Sequence, residues 1–152
     1  MNPDRTLSLT GNTTLVMTKT YRGACHCGAV TFEAEFDLSK GVGQCNCSIC
    51  IKVNQASVLV KPAAFKLLTG ASRITEYRVK TGSPNSRSFC STCGIHCFGV
   101  GDVPEIGGAF VSINTNCLEG VELAGLPTHH LDGRHDNWMA GPRPQMWPIF
   151  AS

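Results

Sequence analysis

The chain has 152 residues, of which 42% are hydrophobic and 16% are charged, and its formal net charge at pH 7 is +2. This length indicates one domain, large enough to bury about two-thirds of its surface on folding. The near-neutral charge excludes a strongly basic nucleic-acid-binding protein, and the composition excludes a disordered chain. We therefore expect no nucleic-acid partner.

Residues 1–19 are rich in Asn, Thr and Ser and contain no continuous apolar stretch, so we expect a flexible N-terminal lead-in rather than a secretory signal. A single domain would then occupy residues 20–152. No segment reaches the roughly 18 apolar residues needed to cross a bilayer. The nine cysteines are an odd number without a secretory context. These features predict a soluble, cytoplasmic protein with no membrane partner.

Short alternating segments dominate the chain from Tyr21 onward. The clearest is the run in which Phe32, Ala34 and Phe36 alternate with polar residues, which predicts a half-buried strand. Segments rich in Val, Ile and Phe predict further strands at residues 56–60, 65–68, 74–79, 87–89, 96–100 and 109–113. Their spacing favours antiparallel sheets, so the predicted fold class is mainly β with little helix.

Helical signals are weak by comparison. Pro62 and the two alanines after it favour a single helical turn, because proline is tolerated at the first helical position. Beyond Leu126 the chain is rich in Pro and Gly. This composition predicts an irregular C-terminal segment anchored by Trp138, Trp147 and Phe150.

Seven of the nine cysteines fall into three clusters, which are Cys25 and Cys27, then Cys45, Cys47 and Cys50, and finally Cys90 and Cys93. Thiols this close in sequence cannot converge from a flat strand, because neighbouring side chains alternate between its faces. Each cluster must therefore occupy a tight turn. The glycines that directly follow Cys27 and Cys93 support this expectation, since glycine adopts positive φ without strain.

The two cysteine pairs together predict a closed site of four thiolates. Such a set is typical of structural zinc, with Zn–S bonds of about 2.3 Å. Metal binding would join the first strand to a segment more than sixty residues later, and its free energy would add to folding. The alternative is a set of buried, reduced cysteines without metal. The four residues concerned are Cys25, Cys27, Cys90 and Cys93.

The middle cluster supplies three thiolates and leaves one tetrahedral position open, which is a feature of catalytic zinc. We expect Cys45, Cys47 and Cys50 to hold an exchangeable metal. A zinc centre with three thiolates has a net charge of −1, and its open position suits an incoming thiolate. Bound zinc lowers the pKa of a thiol and produces a nucleophile near neutral pH. Two alternatives stay open. One is a metal-free redox cluster, and the other is a second structural site completed by His26, His96, Cys97 or a C-terminal histidine.

Other polar residues are weaker candidates. His26 is expected to point away from the metal, and Cys97 and Cys117 are expected in the core. Among the C-terminal histidines, His135 is preferred for acid–base or supporting roles, because it adjoins Asp136 and Trp138. Four cations could contact anions but are expected mainly as solvated surface residues, namely Arg73, Arg78, Lys80 and Arg87.

The order and spacing of the clusters resemble the glutathione-dependent formaldehyde-activating enzyme family, a broad family that includes centromere-protein-V-like proteins. The resemblance rests on Gly23–Val30, the Cys45 cluster and Phe89–Gly94, and it covers about residues 21 to 140. It implies a β-tent-like fold of antiparallel sheets stapled by zinc. It also implies two zinc ions per chain, a structural one on the four-cysteine set and an exchangeable one on the catalytic positions Cys45, Cys47 and Cys50.

The activity implied by the resemblance is the reversible addition of glutathione to formaldehyde, classed as a carbon–sulfur lyase by its reverse direction. The leading hypothesis is therefore a zinc-dependent enzyme whose partners are a small thiol and an aldehyde. Two alternatives are a noncatalytic zinc scaffold for protein binding and a zinc-thiolate redox sensor. The sequence leaves a homo-oligomer open.

Overall fold

The computed structural model describes residues 17–150. In that range ten strands and one short α-helix, α1 (Cys50–Val53), alternate with 3₁₀ turns. The strands are β1 (Lys19–Ala24), β2 (Thr31–Phe36), β3 (Val42–Cys45), β4 (Ser57–Val60), β5 (Phe65–Thr69), β6 (Ile74–Tyr77), β7 (Ser86–Cys90), β8 (His96–Val103), β9 (Gly108–Asn114) and β10 (Thr128–Leu131). The 3₁₀ turns are Leu38–Lys40, Pro62–Ala64, Ala71–Arg73, Pro104–Ile106, Thr115–Cys117, Gly133–His135 and Trp138–Ala140.

The mainly-β fold class with little helix is confirmed. Phe32, Ala34 and Phe36 lie on the buried face of β2, as their alternation predicts. The other six predicted strands are all present, with bounds that differ by one to three residues. The predicted turn at Pro62 is the 3₁₀ turn Pro62–Ala64. Of the predicted N-terminal lead-in, residues 1–16 lie outside the described part of the chain.

The strands form a small and a large sheet. The small sheet has the order β1-β2-β5, and the large sheet has the order β10-β3-β4-β9-β8-β7-β6. All neighbours pair antiparallel except β10 and β3, which run parallel with Leu131 opposite Cys45. The predicted antiparallel pairing therefore holds for all strand pairs except this one. The short polar sequence of β10, directly after Pro127, carries no alternation that would predict a strand.

Three phenylalanine rings join the two sheets. Phe98 on β8 packs against Phe65 on β5, with ring centroids 4.7 Å apart, and against the fully buried Phe32 on β2 at 6.2 Å. The small sheet thereby covers one face of the large sheet. The opposite face of the large sheet remains available for a site.

The C-terminal segment is more ordered than its composition predicts. Trp147 anchors it, because the indole Nε1 donates to the His130 carbonyl at 2.9 Å and the Arg143 guanidinium lies 3.6 Å above the ring. The prediction that Phe150 is also an anchor is wrong, since it is 83% exposed. Phe150 lies beyond the residues that pair with β10 and has no polar atom to hold it there. Among residues 17–150, no helix has the length and apolarity to cross a bilayer.

Candidate functional site

The four-cysteine set assembles from two turns, one after a strand of the small sheet and one after a strand of the large sheet. Cys25 and Cys27 lie in the turn after β1, and Cys90 and Cys93 lie at the end of β7 and in the turn that follows. All four sulfurs lie within 4.8 Å of one another. The chain therefore brings together two pairs that are more than sixty residues apart.

Both turns have the glycine geometry that the sequence predicts. Gly28 and Gly94 adopt φ of +81° and +75°, the left-handed region that favours glycine. The turns also direct backbone N–H groups at the sulfurs, and the N–H of Val30 lies 3.3 Å from Cys25 Sγ. Such donors stabilise thiolates, the form that binds metal.

The distances among these sulfurs fit a tetrahedral metal. Cys27 Sγ lies 3.6 Å from Cys25 Sγ and 3.7 Å from Cys90 Sγ. A tetrahedron with Zn–S bonds of about 2.3 Å has sulfur–sulfur edges of about 3.8 Å. Backbone N–H groups of Cys27 and Ile95 lower the pKa of Cys93 to about 6. The set could hold a metal ion, and all nine cysteines are free of disulfides.

The three-cysteine cluster lies where the edge strand β10 and its neighbour β3 end in the large sheet. Cys45 ends β3, Cys47 lies in the turn that follows, and Cys50 begins α1. Their sulfurs also lie within 4.8 Å of one another, and each residue is half-buried. The backbone N–H of Cys47 approaches Cys45 Sγ at 3.4 Å, and that of Cys50 approaches Cys47 Sγ at 3.4 Å. The tight turn thus folds the three thiols towards one point.

The electrostatics of this cluster favour a cation. Hydrogen bonding from the thiols of Cys45 and Cys50 lowers the pKa of Cys47 to about 2. Hydrogen bonding with Cys45 and Cys47 raises the pKa of Cys50, and the Cys47 side chain raises the pKa of Cys45. Three such close thiols cannot all ionise on their own, because each new thiolate repels the one already present. A divalent cation would remove that obstacle, so the donor set fits a metal.

No fourth donor of the expected kinds joins the three-cysteine cluster. Within residues 17–150, no histidine, aspartate, glutamate or further cysteine places a ligand atom in that group. His26 is exposed, and Cys97 is buried in the core. His96 Nδ1 pairs with the Gln55 side chain instead. The alternative of a second structural site completed by one of these residues therefore has no support in the geometry.

Arg87 is the charged residue in direct contact with the three-cysteine cluster. Its Nη2 lies 2.9 Å from Cys50 Sγ, and its charge lowers the pKa of that thiol against the stronger opposing effect of the other two cysteines. The expectation that Arg87 is a solvated surface residue is wrong. Its strand position turns it onto the face that carries the cluster.

A buried carboxylate supports the cluster from the C-terminal side. Asp132, only 5% exposed, accepts from Asn46 Nδ2 at 2.8 Å and lies 2.7 Å from His135 Nδ1. Burial raises the pKa of Asp132, but the hydrogen bonds from Asn46 and His135 outweigh it and hold the pKa below its ordinary value. Asn46 stands between Cys45 and Cys47, so this contact fixes the turn. His135 is thus held by Asp132, and not by Asp136 as its sequence position suggests.

A glycine makes close contact with the cluster possible. A Cβ at Gly133 would lie 2.5 Å from Cys45 Sγ and 2.6 Å from the Trp138 ring. The parallel pairing of β10 with β3 places this glycine beside the cluster. Only a residue without a side chain fits between the sulfur and the indole.

The three sulfurs open onto a cavity of about 330 Å³ on the face of the large sheet opposite the phenylalanine core. This volume lies at the lower end of the range for small-molecule sites. Besides the cysteines and Arg87, the lining includes the polar residues Lys80, Asn85, Ser112 and Asp136 and the apolar residues Leu59, Tyr77, Val79, Val103, Ile106, Phe110 and Trp138.

Two glycines of β8 lie beneath side chains that line this cavity. The Arg87 side chain lies across Gly99, and the Phe110 ring lies across Gly101. A side chain at either glycine would collide with these neighbours or with the backbone. The two small residues therefore leave room for the Phe110 ring and for Arg87, which reaches Cys50.

The sequence matches the family model of the glutathione-dependent formaldehyde-activating enzyme over residues 20–131. The chain belongs to this family. A Halomonas elongata protein, named provisionally as a glutathione-dependent formaldehyde-activating enzyme, is 35% identical over 78 residues. That match covers 47% of this chain and 50% of the relative. The aligned part thus spans about half the length of the curated relative.

The fold also has a counterpart among solved structures. A Rhodobacter sphaeroides protein superposes with a TM-score of 0.60 at 28% identity, and the match covers 70% of this chain and 98% of that protein. For the present chain, the sequence identifies all seven clustered cysteines, but it does not predict that Arg87, Asp132 and Gly133 contact or support the three-cysteine cluster. An Arg on a strand and an Asp-Gly pair in a loop are too common to single out without the fold.

Proposed function

We propose that the protein catalyses the reversible addition of a small thiol to an aldehyde, with glutathione and formaldehyde as the pair that the family name indicates. One observation carries the proposal. Three converging sulfurs face an open cavity, and no fourth Cys, His, Asp or Glu donor from residues 17–150 joins them. A guest thiol can therefore occupy the position that a protein ligand fills in a closed site.

We assign a structural zinc ion to Cys25, Cys27, Cys90 and Cys93, and an exchangeable zinc ion to Cys45, Cys47 and Cys50. When bound at the second position, zinc would lower the pKa of an incoming thiol and hold it as a thiolate. The tetrahedral sulfur spacing supports the first assignment, and the crowded thiols support the second.

The reaction balances without any oxidant or reductant. The substrate sulfur attacks the carbonyl carbon and forms a C–S bond, and the π electrons of the carbonyl move to its oxygen. That oxygen takes up the proton that the thiol has lost, and the product is a hemithioacetal. The reverse step breaks the same C–S bond, which makes the protein a carbon–sulfur lyase in that direction.

Residues of the chain supply binding and charge compensation. Arg87 lies against Cys50 and offsets the negative charge that collects when a fourth thiolate arrives. Lys80 and Asp136 also line the cavity, so they offer one cation and one anion to a zwitterionic thiol such as glutathione. We place the protein in a reducing cytoplasm, because all nine cysteines are free and the chemistry depends on thiolates.

Exchange NMR at equilibrium tests the proposal directly. Zinc-loaded protein should accelerate the exchange between ¹³C-formaldehyde and its glutathione adduct beyond the uncatalysed rate. C47S should lose this acceleration, whereas C117S, which removes a buried thiol outside both clusters, should retain it. Equal exchange rates with and without the zinc-loaded protein would refute the proposal.

Metal analysis separates the proposal from its two alternatives. The enzyme should hold two zinc ions, one of which a chelator removes easily. Two equally inert ions would instead favour a noncatalytic scaffold. Release of one ion by a low dose of peroxide, without aldehyde chemistry, would favour a redox sensor.

A further inference from the structure

The cavity onto which the three-cysteine cluster opens has two chemically different ends. The cysteine cluster and Arg87 make one end polar and charged. Apolar side chains form the rest of the wall, and they come from strands and turns that are far apart in sequence, namely Leu59, Tyr77, Val79, Val103, Ile106 and Phe110. Formaldehyde, which is little larger than water, would leave this wall uncovered.

Several of these side chains are exposed to an unusual degree for their type. Val79 is 56% exposed, Tyr77 is 52% exposed and Leu59 is 40% exposed. Single exposed apolar residues are ordinary on a protein surface, but a group that converges on one cavity marks a binding surface. The position of this group beside the cysteine cluster indicates that a substrate covers it.

The spacing along β8 relates the apolar wall to the reacting end. Gly99 lies under Arg87, and Gly101 lies under the Phe110 ring. Residues two apart on a strand are separated by about 7 Å, and Val103 lies about 13 Å from Gly99 along the same strand. The apolar wall thus begins one short chain length away from the sulfurs and continues in one direction.

We infer that the aldehyde used by this site carries an unbranched apolar substituent, such as the pentyl chain of hexanal. This inference rests on the proposed function. The carbonyl carbon must lie within about 3.5 Å of the attacking sulfur, which places it at the cysteine end of the cavity. Its substituent then extends over Arg87 towards Phe110 and Val103. The bond changes are those of the hemithioacetal reaction above, with no change in oxidation state.

The expected preference follows from burial of the chain. Each methylene group removed from water contributes roughly a fourfold gain in binding. Part of that gain is lost because the wall is partly open to solvent. We therefore expect kcat/KM, with glutathione held constant, to rise by about tenfold or more from acetaldehyde through butanal to hexanal.

Two cavity variants and one control test the location. Val79→Ser and Phe110→Ala should flatten the dependence of kcat/KM on chain length, with each value expressed relative to the same variant's kcat/KM for formaldehyde. Val79 is too exposed for its replacement to unfold the protein. Phe150→Ser removes an apolar side chain that is 83% exposed and lies outside the cavity, so it should leave the chain-length dependence unchanged.

The outcomes distinguish the inference from the proposed function. Acceleration with formaldehyde together with a flat or falling series would overturn the inference and leave the proposed function standing. A rising series that Val79→Ser and Phe110→Ala do not alter would also overturn it, because the chain would then bind elsewhere. If the protein accelerates the reaction of no aldehyde, formaldehyde included, both the inference and the proposed function are refuted.

Discussion

The Arg87 guanidinium lies 2.9 Å from the Cys50 sulfur, although 37 positions separate the two residues in sequence. Arg87 reaches that sulfur by lying across Gly99 on the neighbouring strand. The contact places a fixed positive charge beside three crowded thiols. Since a zinc ion with three thiolates would carry a net charge of −1, Arg87 would compensate the charge of the proposed zinc site.

Loss of this cation should weaken the binding of the exchangeable metal. We expect Arg87→Met to lower zinc affinity at the three-cysteine cluster by about 10- to 100-fold, the usual effect of removing a group that supports metal ligands. Competition with a chromophoric chelator measures the affinity. Arg78→Met is the matched control, because Arg78 pairs with Glu76 and does not line the cavity. Equal affinity in wild type and Arg87→Met would contradict the charge-compensation role.

A methyl group at residue 133 should displace Cys45. Because a Cβ there would lie 2.5 Å from the sulfur and 2.6 Å from the Trp138 ring, Gly133→Ala should abolish or greatly weaken exchangeable metal binding. The four-cysteine set shares neither contact and should keep its metal. Gly43→Ala provides the comparison, since its nearest contacts would be ordinary ones at 3.6 Å or more. Titration with cobalt, followed by thiolate-to-metal absorption, reports both sites. Full occupancy of both sites in Gly133→Ala would contradict the prediction and would show that the segment shifts to accommodate the methyl group.

The two clusters should differ in their effect on folding. Cys93→Ser breaks a set that joins distant parts of the chain, so we expect it to cost about 4 kcal/mol or more in unfolding free energy. Cys47→Ser affects ligands that are close together in sequence, and the unfolded chain can still bind metal there, so we expect it to cost about 1 kcal/mol. Urea unfolding of the zinc-loaded proteins measures the difference, and equal losses would contradict the division between structural and exchangeable sites.

His96 should make the fold sensitive to acid. Burial, with a smaller effect of the Arg87 charge, lowers its pKa from 6.5 to about 4. Between these values the unfolded chain binds a proton that the folded chain does not, so stability falls as the pH falls through this window. Solvent screens part of the ring. After allowance for this screening, the unfolding free energy lost near pH ~4.5 is about 1 to 2 kcal/mol.

His96→Gln isolates this contribution. The variant should lose less unfolding free energy than wild type between about pH 7 and about pH 4.5, by roughly the amount given above. Metal release at low pH affects both proteins and cancels in the comparison. Identical pH dependence in the two proteins would mean that His96 is not held neutral.

The cysteine clusters and most strands follow from local sequence, because both depend on spacing over a few residues. The alternation of Phe32, Ala34 and Phe36 with polar residues in β2 is of this kind. The parallel pairing of β10 with β3 is not, because the short segment Thr128–Leu131 can pair with a strand so distant in sequence only when the rest of the fold offers an edge.

The supporting residues were beyond prediction for the same reason. Asp132 acts through Asn46, and Arg87 acts through Cys50, in contacts that cross 86 and 37 positions. Nothing in the sequence near Asp132 or Arg87 distinguishes them from surface charges. Their roles appear only when distant parts of the chain meet around the three-cysteine cluster.

The distance along the chain between the halves of the four-cysteine set has a consequence for biosynthesis. Cys45, Cys47 and Cys50 leave the ribosome together, whereas Cys25 and Cys27 must wait until Cys93 has been translated. The nascent polypeptide therefore exposes a complete three-sulfur ligand set first. Under the proposed assignment, zinc captured early would enter the three-cysteine site, and the four-cysteine site between the sheets would close later.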